Sequence, residues 1–225
     1  LTIVGDASGP APWMLQMGGH HLAFNFTFNG RNAGATPLFM GSEPIRFEMK
    51  GQHFEPLTKQ STAMSRLATS LAGHAEARLS GTFTDVVKGV VPPTPRGQSQ
   101  SGGVDRAFPH AYPTGVEDRG IRVRQLSNAQ RALVRAAIHS YVDLPGEAVS
   151  KGLSTAYLED AALDETFVGF AGSPDLSTRG SYVRIDGPRI WMEFVVQPAV
   201  ADPQTLHYHT LWRDKLSDYG GEIRP

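Results

Sequence analysis

Between residues 20 and 28 every second side chain is bulky and apolar: Leu22, Phe24, Phe26 and Phe28 alternate with Ala23, Asn25 and Thr27. A period of two marks a strand with one apolar face, and this is the clearest strand in the chain. Other extended segments gather at the two ends. Near the start they are 1–4, 13–17, 36–43 and 44–49; near the end, 166–171, 181–186, 189–196 and 205–211. The period changes in between. Leu57, Met64, Leu67, Ala68, Leu71 and Ala75 recur at helical spacing, with a break near Gly73. Ser127 is a suitable N-cap for a helix with Leu133, Val134, Ala137, Ile138 and Tyr141 on one face, running to Pro145. A further helix is expected over 147–163, weakened internally by Gly152.

Strands at both ends can build more than two hairpins only if the ends meet. The expected fold is therefore α+β, one domain over 1–225. Its sheet is mainly antiparallel and drawn from the N- and C-terminal strands, with a helical layer from 57–79 and 127–163 outside it. Residues 89–120 are rich in Pro, Gly and Ser, a long loop of the kind that is usually functional. His110 lies in it, exposed on the simplest reading and lining a site if the loop folds back.

Several function classes are excluded early. Twenty-one basic against twenty-two acidic residues, with no basic run, argue against nucleic acid or an anionic membrane as partner. The absence of cysteine removes disulfides, thiolate metal sites and a cysteine nucleophile. No apolar run approaches the roughly 18 residues of a bilayer span, so a soluble chain is expected. It opens on Leu1-Thr2-Ile3-Val4 as though already inside a domain, which suggests that an upstream segment is missing. Secretion with the signal removed is one reading of that start.

The histidines carry the chemistry. On a strand His207 and His209 project from one face while Leu206 and Tyr208 face the other way. A second pair, His20-His21, follows Gly18-Gly19 near the other end of the chain. By the alternation His21 shares the polar face with Asn25 and Thr27, whereas His20 falls on the phenylalanine side, so His21 is the preferred ligand. Neutral imidazole is the commonest ligand for zinc, copper, iron and nickel. The competing reading is that both pairs are ordinary polar residues at strand ends. Glu193 stands among apolar neighbours in Ile190-Trp191-Met192-Glu193-Phe194, and a buried carboxylate needs a partner. A metal would serve, and so would Arg184, which a hairpin at Gly187-Pro188 places opposite it.

The chain resembles the uncharacterised bacterial and fungal family named domain of unknown function 3500. The resemblance rests on Gly19-His20-His21-Leu22, Pro37-Leu38-Phe39 with Gly41 and Pro44, Tyr182-Val183-Arg184-Ile185-Asp186-Gly187-Pro188 and Glu193-Phe194. It continues through His207-Tyr208-His209, Trp212-Arg213-Asp214 and Asp218-Tyr219-Gly220. These blocks keep the family's order over nearly the whole chain. Family members look longer at the amino end, and the resemblance implies glutamine where this chain has His74. The family name supplies no activity, so function is argued from residues.

Three functions are weighed. The first is a metalloenzyme holding one divalent transition metal, copper, zinc or iron. His21, His207 and His209 are its ligands, with His20 in reserve, and Glu193 is a fourth ligand or general base. Asp214 accepts a ring N–H from His207 or His209. Zinc implies hydrolysis and copper or iron oxidation; the nearness in sequence of Trp191, Trp212, Tyr182 and Tyr208 tips the reading toward redox. The second is a metal-free site in which histidines act as acid and base while Arg184 and Arg213 hold an anionic small molecule. The third is a carbohydrate-binding module using Trp13, Trp191 and Trp212. No Gly-x-Ser-x-Gly elbow is present.

Overall fold

The computed structural model describes residues 1–86, 112–113, 115–202 and 204–221. His110 and most of the 89–120 segment lie outside these residues. The amino-terminal part is extended: β1 (Thr2–Val4), β2 (Trp13–Gly18), β3 (Leu22–Asn29), β4 (Asn32–Gly34) and β5 (Leu38–Ser42), then a small hairpin of β6 (Phe47–Met49) and β7 (Gln52–Phe54). The helix α1 (Thr58–Ser70) follows, and then, after the short β8 (Ile121–Arg122), α2 (Asn128–Val142), α3 (Glu147–Leu158) and α4 (Asp160–Asp164). The chain ends in β9 (Phe167–Ala171), β10 (Tyr182–Asp186), β11 (Ile190–Pro198) and β12 (Leu206–Asp214).

Ten strands form one sheet in the order β1-β2-β3-β5-β12-β11-β10-β9-β8, with β4 paired to β3. The two ends of the chain meet where β5 runs antiparallel to β12, His209 opposite Gly41 and Trp212 opposite Leu38. The fold is α+β, built on an antiparallel sheet from both terminal regions. Among the described residues no helix is long and apolar enough to cross a membrane.

Alternation decides what each face of the sheet meets. Phe194, Met192, Val183, Ile185, Phe170 and Trp212 join the helix residues Met64, Leu67, Ile138 and Tyr141 in the main core. At the centre of this contact the Tyr141 hydroxyl and Thr210 Oγ1 are 2.6 Å apart. The opposite face is covered by residues 79–86, whose Leu79, Phe83 and Val86 pack on Ala171, Tyr182, Val195 and Leu211. Covered on both sides, β9, β10 and most of β11 are buried throughout, which explains why β9 and most of β11 are apolar on both faces, while Arg184, Asp186 and Glu193 are buried charges that need partners.

The helices follow local rules. Ser127 Oγ accepts from Gln130 N–H at 3.3 Å and Gln130 Oε1 accepts from Ser127 N–H at 3.1 Å, a reciprocal capping box that starts α2. The helical stretch expected over 57–79 with a break near Gly73 is α1, which ends at Ser70, and, after the exposed Gly73, a single turn of 3₁₀ helix, Ala75–Ala77. His74 there has Nε2 3.1 Å from Gln130 Nε2, a tie between this turn and the start of α2. The expected 147–163 helix divides at Glu159, whose ψ of 139° is extended.

Candidate metal centre

The outer face of β12 carries His207, His209, Leu211 and Arg213, the residues left over once Tyr208, Thr210 and Trp212 turn to the helices. Between β12 and β3 lies β5. Gly41 on β5 is opposite His209, and its N–H donates to the His21 carbonyl at 2.8 Å, so His21, Gly41 and His209 form one row across three strands. One ring nitrogen from each of His21, His207 and His209 lies within 4.8 Å of the others, and His21 Nε2 and His207 Nε2 are 2.9 Å apart. Nitrogens sharing one ion at about 2.0–2.1 Å stand roughly 3–4 Å apart, so closing the group takes about half an ångström of ring movement. Gly41 makes the space. A Cβ built there would lie 2.6 Å from His21 Cδ2 and 2.9 Å from His209 Cδ2, closer than Cβ atoms approach other atoms.

Hydrogen bonds orient the rings. His209 Nδ1 is 2.9 Å from Asp85 Oδ1, and an ionised carboxylate only accepts, so Nδ1 carries a proton and Nε2 is the nitrogen left to serve as a ligand. That Nε2 is buried and has no hydrogen-bond partner among the described residues. His207 Nδ1 is likewise buried without one, and Glu43 Oε2 lies 3.6 Å from it. The other Glu43 oxygen accepts from Ala201 N–H at 2.6 Å, which fixes the carboxylate beside the site.

Electrostatics favour the neutral form of His21 and His207 and the charged form of the carboxylates beside them. Burial lowers the pKa of His21, and the adjoining His20 and His209 add to this. His207 is lowered too, first by burial and then by His209. Burial works against the charge on Asp85, but the hydrogen bonds from His209 and from Val86 N–H outweigh it and hold the carboxyl below its usual range. Glu43 is lowered chiefly by its bond from Ala201 N–H. Three clustered imidazoles beside two carboxylates suit a divalent ion.

A family model described as protein of unknown function (DUF3500) matches residues 1–221, nearly the whole chain. The chain belongs to the DUF3500 family. No curated protein and no solved structure matches it.

The other site residues expected from the sequence of this DUF3500 member lie elsewhere. His20 is exposed, its ring centroid 4.3 Å from that of His21, and is not one of the three clustered ligands. Glu193 is opposite Leu211 rather than a histidine. Its carboxylate accepts from Tyr182 Oη–H at 2.6 Å and Trp191 Nε1–H at 2.8 Å, and these donors supply the partners that its burial demands. Arg184 faces Glu193 in register but donates Nη2–H to the Asp118 carbonyl. Arg213 shares the histidine face four residues along β12, about 13 Å away at 3.3 Å per residue, and binds Asp218 at 2.7 Å. Asp214 does not orient a histidine. It sits on the helix side of β12, taken up by Tyr157, Arg189 and the N–H groups of Leu216 and Ser217.

The aromatic residues divide between the faces: Tyr182 and Trp191 share the histidine face, whereas Trp212 and Tyr208 pack toward the helices. Trp191 and Trp212 are wholly buried and offer no face to a sugar; Trp13 is partly buried and stacks on Phe28 at 4.4 Å. The structure adds three residues to the site that the sequence reading did not single out for a role there: Gly41, Glu43 and Asp85. Only Gly41 left a trace, as part of a block shared with the family.

Proposed function

We propose that this DUF3500 chain is a metal-dependent enzyme in which His21, His207 and His209 hold one divalent transition metal and leave coordination positions open for a small-molecule substrate. The observation that carries this reading is His209: its Nδ1–H is fixed by Asp85, and its buried Nε2 meets no hydrogen-bond partner among the described residues. A histidine whose far nitrogen is tied to a carboxylate is the usual form of a metal ligand. The bland alternative, polar residues at strand ends, does not account for three imidazoles gathered over a glycine with buried nitrogens unpaired.

Such a centre makes the ion the Lewis acid, and the three neutral donors leave its charge undiminished. Oxidative chemistry with copper or iron is the first reading, supported by the two oxidisable rings, Tyr182 and Trp191, joined through Glu193 on the same face. Zinc-dependent hydrolysis is the second, supported by the all-histidine ligand set with open positions. The protein's own contributions are distinct from the metal's: Gly41 keeps space for the rings, Asp85 sets a tautomer, and Glu43 places charge beside His207.

The test is elemental analysis of protein supplemented in turn with zinc, copper and iron, together with His207→Ala. The expected result is near one ion per chain, largely lost in the variant, with dioxygen uptake by the copper or iron form separating the first chemistry from the second. A wild-type chain that stays empty in all three would favour the metal-free reading, in which the histidines act as acid and base.

A further inference from the structure

Residues 79–86 have no repeating secondary structure, yet they are held along the outer face at several points. Leu79 N–H donates to the Phe170 carbonyl at 2.9 Å, and its side chain fills the space over Gly169, where a Cβ would come within 2.6 Å of it. The Phe83 ring stacks on Tyr182 with centroids 4.0 Å apart and planes 7° from parallel. Gln197 Nε2–H donates to the Thr84 carbonyl at 2.6 Å. The next residue is Asp85. Its Oδ1 accepts from Val86 N–H at 2.8 Å, which orients the carboxylate, and meets His209 Nδ1 at 2.9 Å.

We infer that residues 79–86 are a strap that delivers Asp85 to His209, and that Asp85 is a positioning residue of the metal centre. The inference rests on the reading of the three histidines as ligands. Without a carboxylate at Nδ1 the neutral ring divides between two tautomers, and only the one protonated at Nδ1 offers Nε2 to an ion. The strap's anchors lie away from the histidines. Tyr182, on which Phe83 stacks, is pinned in turn by Glu193. Glu193 thus acts on the site at a distance, through Tyr182, Phe83 and the strap, instead of touching the ion.

The experiment is a titration with cobalt(II) alone, followed by visible absorption, on wild type, Asp85→Asn, Asp85→Ala, Phe83→Ala and the Phe83→Ala/Asp85→Ala pair. Loss of such an outer partner typically weakens metal binding about 10–100-fold, and that loss is expected for Asp85→Ala. Asp85→Asn keeps an oxygen acceptor and should retain most of the affinity. Phe83→Ala should fall between wild type and Asp85→Ala, and the pair should bind no more weakly than Asp85→Ala, since both act through one contact. Nitrogen NMR of the metal-free proteins should show His209 protonated at Nδ1 in wild type and a tautomer mixture in Asp85→Ala, a change that general loosening does not produce.

Equal cobalt affinity in wild type and Asp85→Ala, or a His209 tautomer unmoved by that substitution, overturns the inference and leaves the metal reading standing. Additive losses in the Phe83/Asp85 pair overturn the strap's part in it. A wild type that takes up no cobalt overturns the metal reading itself and this inference with it.

Discussion

Replacing Gly41 by alanine inserts one methyl group at the centre of the histidine row. The new Cβ would start 2.6 Å from His21 Cδ2 and 2.9 Å from His209 Cδ2, where ordinary contact begins near 3.4 Å. The rings must therefore retreat by about 0.5–0.8 Å, several times the roughly 0.2 Å tolerance of a metal–ligand bond. Two of three ligands are displaced at once. The loss of metal affinity should exceed the 10–100-fold of an outer-partner deletion and reach about 100-fold or more, roughly 2.8 kcal/mol at 1.4 kcal/mol per factor of ten. The fold should survive, because Gly41 lies in regular β5 and has no positive φ. Overpacking costs about 1–3 kcal/mol, which in a chain of this size lowers Tm by about 2–12 °C. The assay pairs a cobalt(II) titration with thermal unfolding of the metal-free protein. Wild-type affinity in Gly41→Ala would refute the argument, since the rings could not then be held where the site requires them.

Other substitutions separate the site from its surroundings. Glu193→Gln should leave metal stoichiometry near one, because Glu193 is not among the clustered ligands; an amide in place of one acceptor oxygen costs about 1–3 kcal/mol, read as a lower urea midpoint. Asp214→Asn should likewise spare metal content, while loss of its buried pair with Arg189 costs about 3 kcal/mol, the low end for such pairs because Arg189 keeps some solvent; a fall in metal content would restore it to the site. The metal-free protein should also be acid-sensitive through His21 and His207. Both have pKa values lowered by burial from 6.5, so the unfolded chain binds more protons, and stability present above about pH 6.5 is lost as pH falls through their folded values. Urea midpoints measured between pH 8 and 5 for wild type and His21→Gln/His207→Gln check this; identical curves would contradict it.

Local pattern made much of the fold legible. Alternation in β3 placed Phe24 and Phe26 toward the core and His21 on the other face, and the capping box at Ser127 set the start of α2. The break near Gly73 that ends the first helix was legible, whereas the β6–β7 hairpin was not, because it depends on turn geometry rather than on a period. At the site, a period of two set His207 and His209 side by side, but nothing in sequence spacing reports which strand lies between β12 and β3. Gly41 gains its importance only from that register, and Asp85 only from a strap that crosses the sheet 124 residues away in sequence. Glu193 shows the limit in another form. Its apolar neighbours indicated that it needs partners, yet burial alone does not say that Tyr182 and Trp191 are among them.

The central claim is that three histidines from opposite ends of the chain hold one ion. Inductively coupled plasma mass spectrometry on wild type and on His21→Ala, His207→Ala and His209→Ala, each dialysed after exposure to an equimolar mixture of zinc, copper and iron, tests it most directly. The account predicts near one ion per wild-type chain and a large loss in each variant, His21→Ala included although it lies 186 residues from His207. Wild-type protein without metal, or a His21→Ala variant that keeps its full complement, would contradict it.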